Sequence, residues 1–175
     1  MNRFVTLTAS ALSALFVFVS LPAGKASAQS ASDLVGFWNL VAIYVEQGDK
    51  KIEPYGPNPK GAHIYDASGR FSVTVVRSDL PKFASNNRET GTAEENAAAV
   101  RGSIAYFGTY TTSEADKSVT VQIEGATYPN FAGTSQKRLY SIDGDELTIT
   151  NPTPSAGGGV AKIVLKRAKT TPRQM

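Results

Sequence analysis

Residues 33–45 read Asp33-Leu34-Val35-Gly36-Phe37-Trp38-Asn39-Leu40-Val41-Ala42-Ile43-Tyr44-Val45, and this stretch decides the fold. It holds the only tryptophan of the chain and carries no charge after Asp33. β-Branched and aromatic residues crowd it, which is the composition of a long, mostly buried strand. Strict alternation places Gly36, Trp38, Leu40, Ala42 and Tyr44 on one face. A glycine two residues before a large indole leaves room beside the ring for the backbone of a neighbouring strand. The stretch reads as the first strand of a closed barrel, with Trp38 plugging one end.

Downstream, strands and turns follow in quick order. The first strand ends in the polar turn Gln47-Gly48-Asp49-Lys50-Lys51. Residues 53–61, with three prolines and two glycines, form a stiff loop that serves as a connector or borders the mouth of a site. His63-Ile64-Tyr65 is a short strand, Asp66-Ala67-Ser68-Gly69 a hairpin turn, and Arg70 to Val75 alternates with Phe71, Val73 and Val75 on one face. Further strands cover residues 104–112, 118–125, 136–142, 147–150 and 160–167. Between Ser78 and Gly102 lies a long connection. Within it, Thr92 followed three residues later by Glu95 is a capping box that opens an alanine-rich helix. A connection of that length in a small domain reads as a lid.

Eight strands joined mainly by short turns are antiparallel neighbours. The expected class is therefore all-β: an eight-stranded antiparallel up-and-down β-barrel with one short helix in a long lid loop. Closure removes exposed edges and leaves an interior that holds one small ligand. A β-sandwich is the competing arrangement, and the regular hairpins favour the barrel.

The ends of the chain carry different signals. Met1-Asn2-Arg3 is a positive start, residues 4–21 are uncharged and mostly apolar, and Ala26-Ser27-Ala28 is a small-x-small cleavage site. That layout is a secretory signal peptide over residues 1–28, with an uncleaved membrane anchor as the alternative. A short polar lead, 29–33, then precedes the barrel at 34–167, and residues 168–175 form a basic, flexible tail. The expected location is periplasmic or secreted, with no membrane span after cleavage.

Composition removes several function classes. Cleavage takes away Arg3 and Lys25 and no acidic residue, so the formal charge falls from +3 to +1. So small a charge gives no nucleic-acid footprint. With no cysteine there are no disulfides, thiolate sites or cysteine nucleophile. His63 is the only histidine, which leaves little for a transition-metal cage or a serine triad, so no metal or cofactor is expected and His63 reads as an ordinary strand residue. Asp143-Gly144-Asp145-Glu146 lacks the spacing of a calcium loop, and neither glycine cluster, 56–61 or 157–159, matches a phosphate-binding loop.

Gly36-x-Trp38 on a first strand, eight strands and an arginine on the last together resemble a lipocalin. The resemblance implies that the tryptophan closes the barrel base and that a final-strand arginine, here Arg167, packs across it. A guanidinium over an indole contributes roughly 1–2 kcal/mol when partly desolvated. The chain is most similar to the bacterial and fungal lipocalin-like domain proteins. Pro54-Tyr55-Gly56-Pro57-Asn58-Pro59-Lys60-Gly61 with Ile64-Tyr65 and Gly69-Arg70 looks like the first block of that family. Ala105 to Tyr110 looks like the second block. Glu124-Gly125, Pro129-Asn130-Phe131 and Gly133-Thr134-x-Gln136 look like the third. The family pattern implies a histidine on the strand before Glu124, where this chain has Val121 and Gln122.

Two functions fit such a barrel. In the first, it binds a small, largely apolar molecule, with Tyr55, Phe71, Tyr106, Tyr110 and Phe131 near the cup. Arg77, Arg101, Arg138 and Glu124 are the charged candidates there. In the second, it is an enzyme of the isomerase or cyclase type, moving a proton on a hydrophobic substrate. Glu124 would then be the base and Tyr106 or Arg138 the stabiliser. Alternation points Glu124 outward, but Gly125 is a candidate bulge that would turn it inward, where it would need Arg138 or a tyrosine as partner. The oligomeric state is left open.

Overall fold

The computed structural model describes residues 31–169. The elements are α1 (Ala31–Leu34), β1 (Gly36–Gln47), β2 (Lys50–Ile52), β3 (Lys60–Tyr65), β4 (Arg70–Val76), α2 (Ala93–Gly102), β5 (Ser103–Ser113), β6 (Ser118–Ala126), a 3₁₀ turn (Pro129–Phe131), β7 (Ser135–Asp143), β8 (Glu146–Asn151) and β9 (Val160–Arg167). The sheet order is β2-β1-β3-β4-β5-β6-β7-β8-β9, and β1 also pairs with β9, which closes the barrel. All pairings are antiparallel. Eight strands form the wall. The ninth, β2, falls where a polar turn was expected, and it pairs only with the upper end of β1, from Val45 to Gln47. The signal-peptide reading at 1–28 and the end of the basic tail lie outside the described residues. The tail begins in pairing, with the Ala168 amide donating to Phe37 O at 2.8 Å.

The strict alternation read for β1 breaks once. A register shift between Leu40 and Ala42 against β9 is a bulge. Below it Trp38 and Leu40 are buried; above it the inward phase passes to Ile43 and Val45. An extra residue moves every later side chain to the other face. Ala42 and Tyr44 are therefore not on the Trp38 face as expected, and Lys51 of β2 packs its ammonium 3.8 Å over the Tyr44 ring.

The two ends of the barrel differ. At one end the strands join by the turns after Tyr65, Ser113 and Asp143, and Trp38 fills the base. Its Nε1 donates to Leu34 O at 2.8 Å. The Arg167 guanidinium lies over the ring and donates to Asp33 O and Val35 O. The space at Gly36 is taken by this arginine rather than by a neighbouring strand: a Cβ there would come 2.8 Å from Arg167 Nη1, and φ is +145°. At the other end the long connections gather, over residues 53–59, 77–102, 127–134 and 152–159. The Arg77 amide donates to Gly102 O at 2.8 Å and pinches the base of the longest one. Inside it the capping box is complete, Glu95 N to Thr92 Oγ1 at 3.2 Å and Thr92 N to Glu95 Oε2 at 2.8 Å.

Candidate functional site

The open end is built in two levels. The lower level is a cavity of about 50 Å³ inside the barrel, bordered by Tyr55, His63, Tyr106, Phe131, Arg138 and Asn151. The upper level is a vestibule of about 480 Å³. Its walls are the stiff proline loop at Pro54-Tyr55, the last turn of α2 at Val100 and Arg101, Ile104, and Tyr128-Pro129. Tyr55, Ile104 and Ser155 border both levels and mark the throat between them. The first has room for a few waters and the second is in the range that holds a small ligand.

The polar groups of the lower level are tightly held. Arg138, on β7, is 2% exposed. Its Nη1 donates to the Tyr106 hydroxyl at 2.7 Å and its Nη2 to Gln136 Oε1 at 2.7 Å, while Nε has no partner. His63, on β3, is 1% exposed, and its Nδ1 also has no partner. Burial, helped by the nearby Arg138 charge, pushes the His63 pKa down to about 3, so the imidazole is neutral. Burial, with Tyr106 adding to it, lifts the Tyr55 phenol to about 12 and keeps it protonated.

The lipocalin-like domain family model matches residues 35–166. This chain belongs to that family. A 4'-hydroxy-3'-methoxypropiophenone carrier protein from Aspergillus oryzae is 32% identical over 96 residues, which cover 51% of this chain and 86% of that protein. The family and this relative together support small-molecule binding.

Within the lipocalin-like barrel the expected site residues divide into three groups. Tyr55, Tyr106 and Phe131 meet at the cavity, and the Tyr106 and Phe131 rings pack edge to face with centroids 5.8 Å apart. Phe71 and Tyr110 do not border it. They pack lower in the barrel around Tyr65, with the Tyr110 hydroxyl donating to Asp66 O at 2.9 Å, because their positions on β4 and β5 lie near the closed end. Glu124 is outside altogether. It is the extra residue of a bulge between Phe107 and Gly108, as Gly125 suggested. The bulge leaves its carboxylate on the outer face, in a two-pronged ion pair with Arg70 at 2.9 Å. Of the other charged candidates, Arg77 is paired with Asp79, and Arg101 borders the vestibule.

Two contributors escaped the sequence. His63 read as an ordinary strand residue, although its phase with Tyr65 carried the signal that it points inward. The loop after Asn151 has no part in the cup expected from the sequence, yet Ser155 and Ala156 border both levels and Pro154 the lower one.

Proposed function

We propose that this protein is a carrier that holds a small, largely apolar molecule, with the bulk of that molecule in the vestibule. The single observation that carries the reading is the vestibule itself: about 480 Å³ of mostly apolar and aromatic wall, opening onto a cavity with few, fixed polar groups. The carrier name of the relative points the same way, and an aryl ketone of the kind in that name is a suitable first probe. The proton-transfer alternative needs Glu124 beside Tyr106 and Arg138, and Glu124 stands on the other face of the sheet.

Native mass spectrometry of the protein purified gently from its own source, followed by solvent extraction, tests the carrier. An added mass of a few hundred daltons, recovered in the extract, is expected. A bare polypeptide mass, together with no heat released on titrating the aryl ketone, would remove the reading. The N-terminal layout supports export to the periplasm or beyond. The mature chain should begin at Gln29 in the exported fraction; a full-length cytoplasmic product would refute export.

A further inference from the structure

Two strands of this barrel invert the usual pattern at the same place. On β7 Arg138 points inward at 2% exposure while its neighbour Leu139 is 50% exposed. On β3 His63 points inward at 1% while Ile64 is 40% exposed. In both, a polar residue takes the core phase and an aliphatic one takes the solvent phase, and both polar residues border the same small cavity. Local rules broken together at one spot mark a site.

The chemistry of the spot is one-sided. Arg138 has five N–H donors, of which two are used within the protein, by Tyr106 and Gln136. No carboxylate pairs with it among the described residues. Tyr106 accepts from Arg138, so its own O–H remains free to donate. A buried, uncompensated guanidinium is costly unless an anion completes it. The cavity holds roughly three or four water volumes, enough for a compact head group and too little for a whole ligand.

We propose that Arg138 and Tyr106 form an anchor for a carboxylate, so that the cargo is an apolar monocarboxylic acid with its head in the cavity and its body in the vestibule. This rests on the carrier reading and narrows it. The carboxylate accepts from the Arg138 guanidinium and from the Tyr106 hydroxyl. Neutral His63 beside them adds no competing positive charge.

The test is a matched pair of probes, 4-phenylbutanoate and 4-phenylbutanamide, titrated calorimetrically at pH 7.5 into the whole protein. They differ in charge and little in shape. The acid should bind about 10- to 100-fold more tightly than the amide, the range for a charge-assisted pair. In Arg138→Gln that ratio should collapse towards one. If this variant does not fold, Tyr106→Phe, which keeps the guanidinium, should lower the ratio several-fold. Equal binding of acid and amide by the wild type, or a ratio that survives both substitutions, overturns the anchor and leaves the carrier reading standing. Binding of neither probe at millimolar concentration overturns the anchor as well. Only with a bare mass from the native source does it also count against the carrier.

Discussion

The guanidinium carbon of Arg167 lies 4.0 Å from the Trp38 ring centroid, and the same group donates to Asp33 O and Val35 O. One side chain from the last strand therefore ties the first strand to the segment that precedes it. Arg167→Met should lower stability by about 2–3 kcal/mol, from the lost cation–π contact and the two lost hydrogen bonds to backbone carbonyls. Arg167→Lys should recover little, because an ammonium lacks the planar fork that serves both carbonyls. Urea unfolding of both variants checks this. Lysine restoring full stability would mean that charge alone matters there.

Gly108 marks how close two strands approach at the β5–β6 bulge. A Cβ at this position would stand 1.9 Å from Gln122 O, a backbone atom that cannot swing aside. Gly108→Ala should cost more than about 3 kcal/mol or prevent folding. Gly158→Ala, in the 152–159 loop where an added Cβ meets nothing within 4 Å, is the matched control and should stay within about 0.5 kcal/mol. Comparable midpoints for the two variants in a thermal melt would contradict the close approach.

What could be read ahead of the structure follows the physics of each feature. The barrel was legible because period-2 alternation and short turns are local, and Gly36, Trp38 and Arg167 form a pattern that needs no distant partner to recognise. The bulge at Val41 was not legible, since nothing in Leu40-Val41-Ala42 distinguishes an extra residue from a paired one. Its position is set by the register against β9. The site was half legible for a related reason. Tyr55, Tyr106 and Phe131 lie near the ends of strands or in loops at the open end, whereas Phe71 and Tyr110 have the same chemistry at the wrong height. Height along a barrel comes from strand stagger, which no single strand encodes. His63 was undervalued because polarity argues for solvent, and the exposure of its neighbour Ile64 shows that the phase wins, while Arg138 was already a candidate at the cup.

Arg70 and Glu124 make an ion pair on the outer surface, with side chains 51% and 42% exposed. Solvent screens such a pair. Glu124→Gln should therefore change stability by less than about 1 kcal/mol and leave ligand affinity where it was. A large fall in affinity, or in any turnover, would revive an inward-facing carboxylate; calorimetric titration of the variant decides.

The capping box of α2 is also an acid-sensitive clasp. The Glu95 carboxylate accepts from the amides of both Ala84 and Thr92, and these bonds hold its pKa below the usual value of 4.5. A depressed pKa means stabilisation that is present above 4.5 and fades as pH falls through the lower folded value. Thr92→Ala removes the other half of the box at a cost of about 0.5–2 kcal/mol, felt locally. Hydrogen exchange should speed up in residues 93–102 with the barrel strands unchanged, and ligand release should quicken because Val100 and Arg101 wall the vestibule. Uniform acceleration across the barrel would mean that the helix is part of the folding core and not a lid.

His63 gives the barrel a stability profile that can be separated from its carboxylates. The buried imidazole has its pKa pushed from 6.5 down to about 3, first by loss of solvent and then by Arg138. The unfolded chain therefore binds a proton between those values that the folded chain refuses. Stability should rise with pH across that window, be complete above 6.5, and fall on acidification by up to about 1.4 kcal/mol per pH unit. Between pH 5.5 and 6.5 ordinary carboxylates are about nine-tenths or more ionised in the folded and the unfolded chain alike, so the slope there belongs mainly to His63, the only histidine in the chain. Urea midpoints measured at several pH values in that interval should climb with pH for the wild type and flatten for His63→Gln. A wild type without slope would mean that the imidazole can take up its proton inside the barrel. Either water would then reach it past Tyr55, or Arg138 would turn away from the cavity.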